Sequence, residues 1–458
     1  MKKKMKSVLF SAFSFMAAAS AFGAAEIDRV LVRQQWPWSE KVAIDFVLTN
    51  VTSATEIQCV VSRGAAAVDV PEIAFTGDIC ELDKDGSYRI MFDPSYLSDR
   101  PAKGETLSFS LTPVEMTAES RLREVFYKIF DLEKKTVTDV TRGDLLSGKY
   151  GSIETDYSKI GEGYKTPLSD VLIWTGVTNY PGAKTTKLVM RKVPAGTFKF
   201  GRYHVWTQTT QYTITVSKPF YIGVFELTQK QFSFFKNATT VKTYNPGEVN
   251  GNLGDEKPVN TIDFTNEIYD DGRVWDASTG ALLNLKNMFA PHGTYHFDIP
   301  TQAMWFRALR AESTSYYYDG ISGTPTDFAY NERMAVLGRF AGNGGIVDNG
   351  DGTTTTNGVV AVGQYRPNAF GLYDMIGNVS EATRDCKQIN SNSTDPYNVP
   401  SPKDIAFGVF GGAWHSEAKL PYAGNSGNGP NLNLNVLYNY VGLRLSFFEG
   451  ENPFKPAE

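Results

Sequence analysis

Apolar residues recur at every second position in three separate stretches of the first quarter of the chain. Val42, Ile44, Phe46 and Leu48 form one set, Tyr88, Ile90 and Phe92 a second, and Leu107, Phe109 and Leu111 a third. A period of two is the mark of strands with one buried face. Asp83-Lys84-Asp85-Gly86 is a turn signal between two of them. Residues 26–115 are therefore predicted to form a small antiparallel β-sandwich. Its Trp36-Pro37-Trp38 run is either core or a pair of exposed rings that stack on sugar. Residues 116–187 mix polar and glycine positions with isolated apolar pairs such as Phe126-Tyr127 and Ile173-Trp174, and read as a connector.

From Leu188 onward Gly, Asn, Tyr, Phe and Trp become frequent and helical periodicity is scarce. Two short helices are expected. One follows Thr228 as N-cap and runs through Phe232 and Phe235; the other follows Thr301 and carries Gln302, Met304, Trp305, Ala308 and Leu309. The remainder should be strands, turns and long loops, which in a compact domain are usually functional or metal-tied. The predicted class is α+β, with a loop-rich domain over 188–450 after an all-β sandwich.

The first 25 residues stand outside this pattern. Lys2, Lys3, Lys4 and Lys6 precede an apolar run from Ser7 to Phe22, and cleavage after Ala21, Gly23 or Ala25 suits a signal peptidase. The run is about 16 residues, short of the roughly 20 that span a bilayer, so residues 1–25 are read as a signal peptide and no transmembrane segment is expected. The protein is then exported, periplasmic or secreted. A formal net charge of −5 with scattered Lys and Arg offers no phosphate footprint and excludes a general affinity for nucleic acid.

Export implies an oxidising compartment. Cys59 and Cys80 fall in one predicted domain and are either a disulfide pair, stabilising by roughly 3 kcal/mol, or two buried thiols. Cys386 is left over, without a nearby His in sequence, and reads as an idle thiol.

Several segments carry candidate chemistry. Gly442 suits a close backbone approach inside an apolar strand, and Arg444 beside it must be paired, because an unpaired buried charge is costly. Asp374 and Glu381 bracket a glycine turn that contains Gly377 and Val379. They are either two solvated acids capping a loop or, with backbone carbonyls, hard oxygen ligands for Ca²⁺.

Five segments in order resemble the formylglycine-generating enzyme (sulfatase-modifying factor) family: Met190 to Phe198, Pro219 to Ile222 with Glu226-Leu227-Thr228, Ile299 to Trp305, Pro367 to Val379, and Gly411-Gly412-Ala413-Trp414 with Gly442-Leu443-Arg444. The resemblance covers residues 188 to 448 and implies a C-type-lectin-like fold. It also implies calcium as a structural cofactor, held by the side chains of Asp374 and Glu381 and the carbonyls of Gly377 and Val379. For the family's second calcium position it offers Asn343 alone. Asp348-Asn349-Gly350-Asp351-Gly352 has the look of a calcium loop, with Asp348 and Asp351 as ligands, and equally that of a hairpin turn. The family's oxidase holds copper through two cysteines, because soft thiolates suit Cu(I). Here Ser416 and Pro421 stand at those positions, so the resemblance implies loss of that reaction and no copper.

Two functions remain open. The first is a non-catalytic binding module for a protein, peptide or glycan, with Trp414, Tyr422, Asn425, Asn435 and Tyr438 as contacts, since Tyr and Asn make adaptable contacts at low entropic cost. The second is an enzyme of the formylglycine-generating or ergothioneine-synthase superfamily with a non-cysteine site, in which His415 and Glu417 perform acid–base work. His292 and His296 are four apart, but Gly293 between them argues against a helix that would align the rings as ligands.

Overall fold

The computed structural model describes residues 24–34, 41–156, 172–200, 211–236, 252–264, 268, 280–321, 330–385, 389–397, 406–418, 432–433 and 438–449, with short breaks within 41–156 at 65, 69, 71–73, 81, 95–96 and 98–105. Residues 1–23, Trp36, Trp38 and Cys386 lie outside the described residues. The chain divides into two compact units, Met1–Glu124 and Val125–Glu458.

The first unit is all-β. Its strands are β1 (Glu26–Gln34), β2 (Val42–Thr49), β3 (Thr55–Arg63), β4 (Ala66–Val68), β5 (Phe75–Gly77), β6 (Gly86–Phe92) and β7 (Leu107–Glu115). They form one sheet of order β1-β2-β6-β5 and another of order β4-β3-β7. The alternation in the sequence is the cause: Val42, Ile44, Phe46, Leu48, Ile90, Phe92 and Leu107 all turn into one core. No disulfide joins Cys59 to Cys80. Cys59 sits on β3 with its Sγ 3.7 Å from the carbonyl of Ile57, and burial pushes its thiol up to about 12, so it behaves as a small core residue. The pairing considered from sequence is thereby corrected.

The second unit begins earlier than the sequence suggested. Residues 125–141, assigned above to a connector, supply β8 (Val125–Asp131) and β9 (Thr136–Thr141). Further strands are β10 (Lys187–Val193), β11 (Gly196–Phe200), β12 (Tyr212–Val216), β13 (Phe220–Gly223), β14 (Tyr295–Asp298), β15 (Ile346–Asp348), β16 (Thr354–Thr356), β17 (Ser380–Thr383), β18 (Ser393–Thr394), β19 (Ala406–Phe410), β20 (Leu432–Asn433), β21 (Val441–Gly442) and β22 (Ser446–Glu449). The main sheet has six antiparallel strands in the order β14-β22-β13-β10-β8-β9. Helices cover both of its faces, which is why β8, β10 and β13 read as near-continuous apolar runs rather than clean alternation. Lys128 on β8 is only 6% exposed, and is tied to Asp139 at 2.5 Å and Glu449 at 3.0 Å.

One face carries Val193, Phe220 and Ile222 against α5 (Gln302–Arg310). The other carries Leu188, Met190, Tyr221 and Phe447 against α3 (Gln229–Ser233) and α4 (Gly280–Phe289). Three shorter helices complete the set: α1 (Ala118–Arg121) in the first unit, α2 (Arg142–Leu146) directly after β9, and α6 (Glu332–Ala335) between α5 and β15. Phe130 anchors the second face, edge-on to Phe289, Tyr295, Phe297 and Phe447 with centroids 4.9–5.2 Å apart. Both expected helices form. Thr228 caps α3 with a capping box to Gln231, and Thr301 caps α5 by accepting from the Met304 amide. Among the described residues no helix is long and apolar enough to cross a membrane.

Candidate functional site

The site is built on a coil that must pass through left-handed backbone. Asp374, Gly377 and Asn378 have φ of 55°, 84° and 58°. Glycine is required at 377, since a Cβ there would lie 2.3 Å from the carbonyl oxygen of Arg339. Asn tolerates this region better than other residues with a side chain, and Asn378 is held in it from four sides. Its amide donates to the Arg339 carbonyl at 2.8 Å, and its own carbonyl accepts from the Trp414 amide at 2.9 Å. Its Oδ1 accepts from the Val360 amide at 3.0 Å, and its Nδ2 donates to Glu226 Oε2 at 2.6 Å.

The coil delivers Glu381 into β17, where it meets Arg444. Both side chains are buried. Arg444 Nη2 reaches Glu381 Oε1 at 2.6 Å and Nε lies 3.0 Å from both carboxylate oxygens. Nη1 donates to the carbonyls of Gly223 and Val224, and Nη2 also to that of Tyr373. Trp305 of α5 adds its indole N–H to Glu381 Oε2 at 2.6 Å. The whole guanidinium fork is thus satisfied, the condition under which a buried ion pair is tolerable.

Two more acids share this interior. Asp374 is buried; its Oδ2 accepts from the Gly363 amide at 2.6 Å, while Oδ1 has no hydrogen-bond partner. Glu226, between β13 and α3, is wholly buried and accepts from Asn378 Nδ2 and from the Val379 amide at 3.0 Å. Burial, aided by the neighbouring carboxylates, holds Glu226 well above the usual carboxylate range. Burial likewise lifts Asp374 to about 6. The structure therefore places Asp374 and Glu381 in one buried interior rather than in solvent, adds Glu226 to it, and commits Glu381 to Arg444.

Asp374 Oδ1 is a buried acceptor without a hydrogen-bond partner among the described residues, an oxygen of the kind a hard cation takes, and Glu381, Glu226 and Asp374 all act on the one guanidinium of Arg444. A cation there would need carbonyls as well as acids: among the described residues no three His, Cys, Asp or Glu side chains gather as a metal centre. The secondary positions are otherwise engaged. Asn343 clamps its own turn, accepting from the Phe340 amide and donating to the Gly338 carbonyl, both at 2.8 Å. Asp348 and Asp351 lie in the exposed turn joining β15 to β16, each accepting from a backbone amide two residues on.

Next to this coil lies an aromatic group. Trp414 is buried, and its amide is the one bound to Asn378. His415 packs between Trp414 and Tyr440, with centroids 5.0 and 4.6 Å away, and Tyr440 packs on Tyr438 at 5.5 Å. Among the described residues neither Trp414 Nε1 nor His415 Nδ1 has a hydrogen-bond partner, and burial holds the imidazole below its ordinary value. Glu417 is not bonded to His415 Nδ1, so the two are not joined there as an acid–base pair. Ser416 closes the turn by accepting from the Ala413 amide at 2.9 Å through its Oγ. Tyr422, Asn425, Asn435 and Pro421 lie outside the described residues.

The family model described as the sulfatase-modifying factor enzyme 1-like domain matches residues 179–445. The chain belongs to this family. Within this sulfatase-modifying factor domain fall the 374–381 coil, the Trp414 turn and Arg444. Among solved structures the chain is similar to Treponema denticola variable protein 1, at 18% identity over 57% of this chain and 95% of that one, with a TM-score of 0.41. It is also similar to PvdO from Pseudomonas aeruginosa, at 19% identity over 57% and 94%, with a TM-score of 0.40. A third is CarF, at 16% identity over 57% and 97%, with a TM-score of 0.34. No curated protein matches the chain.

Proposed function

We propose that this is an exported binding protein whose sulfatase-modifying factor domain serves as a calcium-braced scaffold and does not carry out the family's copper oxidase chemistry. The observation that carries this reading is the turn after Gly412. At the position where the family's oxidase places a thiolate, Ser416 uses its hydroxyl to cap the Ala413 amide, and a hydroxyl does not grip Cu(I). Among the described residues nothing orients the His415 ring through Nδ1, which weighs against an acid–base role for it. What the turn does present is an aromatic group, Trp414, His415, Tyr438 and Tyr440, suited to a protein, peptide or glycan ligand. Asp374 and Glu381, with the carbonyls of Gly377 and Val379, would hold the ion. Bound there, calcium would supply positive charge to an interior crowded with carboxylates.

Purified full-length protein tests both halves. Elemental analysis should give one calcium per chain and neither copper nor iron. Incubation with copper and a cysteine-containing sulfatase peptide should leave the cysteine unconverted by mass spectrometry. Formylglycine formation, or stoichiometric copper, would reinstate the enzyme.

A further inference from the structure

Glu226 is distant in sequence from the 374–381 coil yet touches it at its centre. Its two oxygens accept from Asn378 Nδ2 at 2.6 Å and from the Val379 amide at 3.0 Å. These contacts fall on the backbone between the two carbonyls, at 377 and 379, assigned above to calcium. The same stretch is fixed by the Asn378 amide on Arg339 and by the Asn378 carbonyl under the Trp414 amide. Turning it would break contacts to three other segments together.

The charges point the same way. Among the described residues no Lys or Arg forms an ion pair with Glu226, whereas the nearby guanidinium of Arg444 is engaged by Glu381. Glu226 thus brings a third carboxyl group into a wholly buried region in which Asp374 already has one oxygen without a hydrogen-bond partner among the described residues, a crowding of acceptors that a cation relieves.

We propose that Glu226 is a positioning residue for calcium: through the Asn378 side chain and the Val379 amide it holds in place the backbone that carries the Gly377 and Val379 carbonyls. The inference rests on the calcium reading of Asp374 and Glu381. Residues that orient metal ligands without binding the metal are typically worth 10–100-fold in affinity.

The test is calorimetric titration of the full chain with calcium chloride, beside thermal unfolding in calcium and in EDTA. Glu226→Gln should weaken calcium binding about 10–100-fold and shrink the rise in Tm that calcium produces. A residue of purely structural value would lower Tm equally in both buffers and leave the calcium affinity unchanged, and that result overturns the proposal. Asn378→Gly provides a second variant should the first not fold, because glycine keeps the left-handed backbone while the side-chain contacts to Glu226 and Val360 are lost. It should lose calcium affinity several-fold, and unchanged affinity again overturns the proposal. A wild-type chain that binds no calcium sinks the calcium reading itself, and the role of Glu226 with it.

Discussion

Asp374→Asn isolates the charge at the centre of the site. The substitution keeps an oxygen for the Gly363 amide and removes the ionised form. Asp374 has a folded pKa of about 6 against an ordinary 3.8. The folded state therefore holds its proton over a range where the unfolded chain has lost it. Stability must fall as pH rises from about 4 through about 6, and the penalty is complete above that window. A shift of this size at 1.36 kcal/mol per unit corresponds to about 3 kcal/mol at neutral pH. In EDTA at pH 7.5 the variant should be more stable than the wild type by up to about 3 kcal/mol, and the advantage should vanish near pH 4. Calcium should reverse the order, because it stabilises the wild type by mass action and has less to bind in the variant. The assay is urea or thermal unfolding at pH 4, 5, 6 and 7.5 in both buffers. The signal should report the C-terminal unit, since a chain of two units need not unfold in one step. A variant less stable than wild type in EDTA at pH 7.5 would refute the reasoning.

Other expectations follow from the same geometry. Glu381→Gln strands the buried Arg444 charge and should destabilise by about 3–5 kcal/mol in chemical unfolding. Gly345→Ala places a Cβ 1.8 Å from the Trp414 carbonyl oxygen, so it should cost about 1–3 kcal/mol and alter tryptophan fluorescence. The His415 ring should titrate below its ordinary value of 6.5 by NMR. A depressed folded value means the unfolded chain binds the proton more readily, so this group's share of stability is lost as pH drops below about 6.5. A titration at or above 6.5 would show a solvated or paired ring.

Much of this fold announces itself in single residues. Period-two alternation located β2, β6 and β7, and the Thr228 and Thr301 caps located α3 and α5, because both signals are local. The misses are non-local. Strand β8 looked like a connector because both its faces are covered, so Phe126, Tyr127, Ile129 and Phe130 show no alternation. Helix α4 was not expected either, though Ala281, Leu282, Leu285 and Phe289 all turn into the core. In the site, Asp374 and Glu381 were visible because they lie seven residues apart around a glycine. Glu226 stands about 150 residues upstream, and only the folded chain shows its contact with Asn378. The pairing of Arg444 could be demanded from its apolar neighbours, but its partner could not be named.

The place of β22 in the main sheet has a consequence for how the chain acquires its structure. This strand comes from the last residues described, yet it lies between β14 and β13 in the interior of the sheet. Arg444, just before it, gathers carbonyls from Gly223, Val224 and Tyr373. Those carbonyls cannot receive Arg444 until that segment has been made. The second unit therefore closes through contacts between distant segments, which form slowly, and deletion of residues 444–449 should leave the entire unit unfolded rather than trimmed.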